Sequence, residues 1–214
     1  MAHAAAPTTP HPTSHGDDEP LMAHGSVLQL GISNGKIATW LFLGSEVMFF
    51  TGLIGAYIVL RFGQPAGNWP QPHITLNVPL TAANTFLLIC SSVTLVWGLQ
   101  AIQAGQSAKG NLGLFLTTLL GAVFVGVQGY EYYELWVHRG LHPSTNVFGS
   151  CFYAMTGFHG LHVFLGVVAM AVVTWLGLTG KYTPKSYAPV ELTGLYWHFV
   201  DLVWIILFAI VYLM

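Results

Sequence analysis

The sequence predicts an all-α, polytopic membrane protein: a bundle of five transmembrane helices. Three observations carry this. Only 7% of the 214 residues are Asp, Glu, Lys or Arg, while 54% are hydrophobic; a soluble domain carries roughly a quarter charged residues. The apolar residues gather into five runs, each with the roughly 20 residues a helix needs to cross hydrocarbon. The runs also lack the polar alternation of membrane-barrel strands. The formal net charge of −2 sits mainly in loops and helix ends. With no basic cluster, a nucleic-acid partner is excluded.

In chain order, the first run covers about residues 37–60, between Lys36 and Arg61. The second covers about 80–101, inside the uncharged stretch that ends at Lys109. The third covers about 110–136. The fourth, about 147–178, is longer than a bilayer needs, so it tilts or protrudes. The fifth covers about 192–213. Gly44, Gly52, Gly55, Gly121, Gly126, Gly157, Gly160 and Gly166 lie within these runs. Small residues let helix backbones approach closely in lipid, which predicts a compact bundle. There is no convincing internal repeat.

Two segments fall outside the runs. Residues 1–33 are rich in Ala, Pro, Thr and His and carry Asp17, Asp18 and Glu19. They lack the apolar core of a signal peptide and read as a disordered cytoplasmic tail, leaving 34–214 as the transmembrane domain. His3, His11, His15 and His24 are too irregularly spaced for a dedicated metal site. The loop 62–79, with four prolines and Trp69, reads as an ordered external connection on the membrane surface. Cys90 and Cys151 stand singly and read as buried, inert thiols.

Basic residues set the expected orientation. Lys36, Lys109, Lys181 and Lys185 fall on the N-terminal side of the membrane, Arg61 and Arg139 on the other. Four against two predicts a cytoplasmic N-terminus and an external C-terminus.

Polar residues inside apolar runs point to chemistry or to packing. Glu46 lies well inside the first run, where an ionised carboxylate costs several kcal/mol unless paired or hydrated. It is either a proton-active or partner-facing carboxyl, or a neutral acid bonded to a neighbouring helix. Glu131 and Glu134 are three apart near the outer end of the third run, where much of the desolvation cost is avoided. With the tyrosines beside them they read as a structural interfacial cluster. His159 and His162 are three apart, as are His198 and Asp201. A helical rise of about 1.5 Å per residue puts the first two histidines roughly 18–23 Å from the outer boundary. His198 then lies about 9 Å and Glu46 about 14 Å from the inner side. These groups could form one polar layer, in which His159 or His162 bonds to a neighbouring helix, with His198 and Asp201 the leading partners. A metal site is the other reading. Helical zinc pairs are spaced four, not three, and diiron bundles use Glu-x-x-His, which is absent here. An interhelical hydrogen-bond network without metal is therefore expected.

Four motifs, taken in order, resemble a known family. They are Ser45-Glu46-Val47-Met48-Phe49-Phe50-Thr51-Gly52; Gln128 with Tyr130-Glu131-Tyr132-Tyr133-Glu134; Gly149-Ser150 leading into Thr156-Gly157-Phe158-His159-Gly160-Leu161-His162-Val163; and Tyr196-Trp197-His198-Phe199-Val200-Asp201-Leu202-Val203-Trp204. Together they resemble subunit III of the haem–copper cytochrome c oxidases, across essentially everything from Lys36 onward.

The resemblance implies a noncatalytic subunit of a proton-pumping terminal oxidase, with no catalytic residue and no metal, haem or copper in this chain. Haems and copper belong to subunits I and II. Subunit I is the direct partner, with subunit II and other respiratory subunits in the complex. Phospholipid is bound, and the subunit supports proton uptake and durability. The mitochondrial form has seven helices; this chain looks like the five-helix bacterial version, in the cell (inner) membrane. Glu46 would lie near subunit I or lipid, on the proton-entry side. His159, His162, His198, Asp201, Glu131 and Glu134 would form structural polar contacts. Quinol oxidases have a similar subunit, as nitric oxide reductases have a similar accessory protein; the Glu of Ser45-Glu46-Val47 and the Phe of Gly157-Phe158-His159 look more like the cytochrome c branch. From other classes, a stand-alone metalloenzyme using His159, His162 and His198 is the runner-up. A transporter is disfavoured by the lack of repeats and broken helices.

Overall fold

A computed structural model describes residues 33–65, 69–70 and 76–214. The tail histidines, Asp17, Asp18, Glu19 and His73 lie outside the described residues. Two units separate in the chain, Met1–Asn34 and Gly35–Met214; the second holds the helical fold. Its helices are α1 (Asn34–Gly63), α2 (Val78–Gln103), α3 (Ser107–Val137), α4 (Val147–Leu178) and α5 (Ala188–Phe208), which runs on into a π-helical turn over Ala209–Leu213. All five are long and apolar enough to cross a membrane. Among the described residues there is no strand, only an isolated bridge between Thr183 and Ser186.

The helices extend past the hydropathy runs where polar residues open or close them. Asn34 and Lys36 begin α1, and Arg61 falls in its last turn. The long stems of Lys36 and Arg61 can stay against apolar surface while the charged ends reach water. Asn77 caps α2 by accepting from the Leu80 N–H at 3.3 Å, with Pro79 in the first turn. Asn146 caps α4 by accepting from the Gly149 N–H at 2.6 Å. Pro189 sits in the first turn of α5, where no backbone donor is needed. Gly105, at φ 77°, follows α2 and reverses the chain into α3 within three residues. That left-handed conformation is strained for any residue with a Cβ.

Helix α2 packs on α3 and α5, and α4 packs on α3 and α5. These four helices close a ring, each antiparallel to its neighbours. Phe124, Trp197, Trp204 and Leu88 fill its interior, all essentially buried. Helix α1 lies outside the ring, against α4 and α5. Only 17% of its most apolar stretch is buried, against 33–44% in the other four helices. Leu43, Phe50 and Tyr57 recur every seventh residue and form its buried seam.

A Cβ on Gly113 would lie 2.5 Å from the Cα of Gly98, so this pair sets the α2–α3 crossing. Gly121 and Gly166 make room for the Trp197 indole, at 2.5 and 3.0 Å from their would-be Cβ atoms. Gly160 does the same for Gln128 at 3.2 Å. By contrast, Gly44, Gly52, Gly55 and Gly126 have nothing within 4 Å. The expectation that glycines bring the helices together therefore holds at Gly121, Gly160 and Gly166 of the ring and fails at Gly126 of α3 and at Gly44, Gly52 and Gly55 of α1. Gly44, Gly52 and Gly55 fall on the face opposite its buried seam.

Candidate functional site

Glu46 comes from the middle of α1 and His162 from α4. The His162 Nε2 lies 3.0 Å from Glu46 Oε2, and its Nδ1 lies 2.7 Å from the Phe158 carbonyl one turn earlier. A carbonyl can only accept, so Nδ1 carries a proton. The Glu46–His162 contact then holds one further proton. With that proton on oxygen the pair is acid and imidazole; with it on nitrogen the pair is carboxylate and imidazolium. Net charge is zero either way. That is how a carboxyl can sit at this depth without a bare charge in hydrocarbon.

Aromatic rings frame the pair. Phe50 meets the His162 ring edge-on with centroids 5.2 Å apart, and Phe49 packs edge-on against Phe158 at 5.2 Å. From α5, the Tyr196 hydroxyl donates to the His162 carbonyl at 3.0 Å. The side chains of His162 and Glu46 keep 14% and 17% of their surface exposed. That surface opens into a groove of about 540 Å³ between α1 and α4, walled by Phe42, Phe49, Leu161, Leu165 and Tyr196. At the Lys36 end of α1, Lys36 pairs with Glu191 of α5 at 2.7 Å. At the other end the Arg61 guanidinium donates to the Met214 carbonyl. Nearby, Tyr57 packs on Trp69, which packs on Phe148.

The other expected members of a polar layer go elsewhere. His159 is fully buried at the centre of the ring. Its ring stacks on Trp204 with centroids 4.7 Å apart, and its Nε2 donates to the Val200 carbonyl at 3.1 Å. Asp201 turns towards α2 and accepts from the Ser92 hydroxyl at 2.8 Å. His198 lines a separate groove on the α2–α5 side. His198 and Asp201 are therefore not the partners of His159 or His162. Residues three apart on a helix point about 60° from each other, enough to face different neighbours. Thus His159 faces the ring interior and His162 faces α1.

The same offset corrects the picture of the two outer acids. Glu131 does not face outward from the bundle: it is 4% exposed. It accepts from Thr81 of α2 at 2.9 Å and from the Tyr212 hydroxyl at 3.2 Å. Glu134 is turned away from this site and pairs with Arg139 at 2.9 Å. Tyr130 and Tyr133 are exposed, while Tyr132 turns inward to bond Thr156 at 2.6 Å. Thr81, Ser92 and Tyr212 are functional partners that sequence reasoning missed. A signal existed for the first two. Thr81, Asn84, Thr85, Ser91 and Ser92, with Leu88 between them, keep three- and four-residue steps along one buried face of α2.

These residues do not fit a metal or haem. Both nitrogens of His162 are engaged, and His159 is closed in by Trp204 and Val200. Among the described residues, no group of three His, Cys, Asp or Glu could hold a metal ion. Cys90 and Cys151 are free thiols on different helices.

Comparison with known proteins gives a family. The family model described as Cytochrome c oxidase subunit III matches residues 18–214. A Nocardia farcinica protein named "Probable cytochrome c oxidase subunit 3" is 43% identical over 177 residues, covering 83% of this chain and 86% of its own length. Cytochrome c oxidase subunit 3 of Thermostichus vulcanus is 40% identical over 174 residues, covering 81% and 84%. The subunit of the same name from Synechocystis sp. is 42% identical over 178 residues, covering 81% and 73%. With five spanning helices and a match over most of its length, the chain belongs to the cytochrome c oxidase subunit III family.

Proposed function

We propose that the chain is a noncatalytic subunit that packs directly on subunit I of a bacterial proton-pumping oxidase. There it carries lipid and supports the proton uptake and working life of subunit I. The complex oxidises cytochrome c, reduces oxygen to water and moves protons outward. Haems and copper reside in subunits I and II. The N-terminus lies on the cytoplasmic side of the cell membrane and the C-terminus outside, by the lysine asymmetry. Cytochrome c is favoured over quinol as donor by Ser45-Glu46-Val47, by Phe158, and by the names of the relatives.

The supporting observation is the Glu46–His162 pair at the α1–α4 groove. It holds a single proton in an apolar wall without net charge. The pair stands at a groove between α1 and α4, outside the ring, which suits a role in shaping a contact and its hydration. Glu46→Gln tests this. The amide can donate to His162 Nε2 and keep the geometry, but it removes the exchangeable proton. The variant complex is expected to assemble and keep most of its initial oxygen-reduction rate. Losses should appear as poorer proton uptake at high pH or as a shorter working life. Immediate loss of nearly all turnover, with normal haem spectra in an assembled complex, would make Glu46 an obligatory proton carrier and sink the supportive role.

A further inference from the structure

The α2–α5 side of the ring carries a second groove. Its larger part, about 430 Å³, is walled by Ile89, Val93, Val96 and Trp97, with Ser92 and with His198 of α5. A smaller part of about 290 Å³ is lined by Gln106 and by Lys109 at the start of α3. Trp97 and Gln100 line both parts, so the two are continuous. The result is an apolar trough ending in two amides and an ammonium group. No acidic side chain lines either part.

We propose that this trough binds one phospholipid of the leaflet at the Lys109 end, with its phosphate at Lys109, Gln106 and Gln100 and one acyl chain laid along Val96, Val93 and Ile89. Length argues for a lipid rather than a partner helix. Ile89 to Gln100 spans eleven steps of α2, about 16 Å at 1.5 Å per residue. One leaflet of a hydrocarbon core of about 30 Å is about 15 Å deep. A transmembrane helix would need a seat twice as long. Charge argues for the headgroup. A cation and two amide donors gather at one end and not along the trough, which suits a phosphate at the membrane surface. Trp97, between the two parts, suits the boundary between headgroup and chain.

The inference deepens the lipid-carrying part of the proposed function. It depends on the chain's place in the membrane and not on the role given to Glu46. The test uses native membranes containing the full-length chain. They receive phosphatidylglycerol with a diazirine midway along one acyl chain, or diacylglycerol with the same chain. After illumination the labelled chain is isolated and its peptides are mapped by mass spectrometry. The phospholipid is expected to label the 89–100 segment at least fivefold more than the diacylglycerol. Lys109→Glu, and separately Val93→Trp, should each cut that labelling at least fivefold. Lys181→Glu, in the α4–α5 connection, should leave it unchanged. Equal labelling by both probes, no labelling of 89–100, or labelling indifferent to Lys109→Glu would each overturn the proposal. A partner-subunit helix seated in the trough in a cryo-EM map of the complex would also overturn it. Labelling retained in a chain that fails to co-purify with subunit I would support the lipid site while removing the subunit role.

Discussion

Gly113→Ala should be the most damaging single-methyl change in the ring. The new Cβ would lie 2.5 Å from the Gly98 Cα, 2.9 Å from its nitrogen and 2.9 Å from the Thr94 carbonyl. All three are backbone atoms, so no side chain can swing aside. Ordinary contact begins at 3.4 Å, so the helices must part by about 1 Å at the crossing. Overpacking of this kind costs about 1–3 kcal/mol. The Thr94–Thr117 hydroxyl contact at 2.9 Å lies beside the crossing and would stretch out of range. An interhelical bond in a membrane is worth about 0.6 kcal/mol. Against this, alanine favours helix by about 0.8–1.0 kcal/mol over glycine. The net destabilisation is about 1–3 kcal/mol. Unfolding of the purified chain in mixed micelles with rising SDS measures it. Gly126→Ala on the same helix, where nothing lies within 4 Å, is the control and should be neutral or slightly stabilising. Equal midpoints for the two variants would refute the close-crossing argument.

Three further outcomes follow from the same geometry. His159→Ala removes the bond to the Val200 carbonyl and the ring under Trp204. A loss of about 1–3 kcal/mol is expected, read as weaker assembly with normal oxidase spectra in whatever complex forms. Loss of haem or copper from the assembled His159→Ala complex would contradict a structural role. Single cysteines at Ser107 and at Arg139 should be shielded from, and open to, an impermeant reagent added to sealed cells. Labelling of the Ser107 position from outside would reverse the orientation. Thr81→Val should destabilise more than Thr39→Val. Thr81 supports the buried Glu131, whereas Thr39 donates only to the Gly35 carbonyl on an exposed surface. Equal midpoints in the SDS assay would show that Glu131 does not depend on Thr81.

Helix positions were legible because length and hydropathy alone decide them in a membrane. The ends blurred by about a turn where Lys36, Arg61 or Glu191 opened or closed a helix. The family was legible from four ordered motifs. Partner choice within the bundle was not. Depth along the axis placed Glu46, His159, His162 and His198 at similar levels, yet level says nothing of azimuth. A rotation of about 60° between residues three apart sent His159 inward and His162 to α1. The same rotation buried Glu131 and left Glu134 with Arg139. Small polar residues on α2 receive Glu131 and Asp201, and single Ser or Thr residues rarely stand out in an apolar run. Hydropathy was equally blind to which glycines meet a neighbour, because that depends on who stands opposite.

The uneven attachment of α1 bears on how the protein comes apart. The ring is made of sequence neighbours joined by short connections, apart from the closing α2–α5 contact, so it can assemble from successive hairpins. Helix α1 joins it across a longer connection and through scattered side chains, Glu46–His162 among them. Sub-global opening begins where few buried contacts must be broken. The first opening of this fold is therefore the peeling of α1 from α4 and α5, with the four-helix ring intact. That motion parts the carboxyl from the imidazole before anything else fails. With the shared proton left on the carboxyl, both groups would be neutral but each would lose its hydrogen-bond partner in a medium that offers no other. The same pair that lets an acid live in the membrane thus acts as a clasp, its release opposed by the cost of separating the two groups in hydrocarbon.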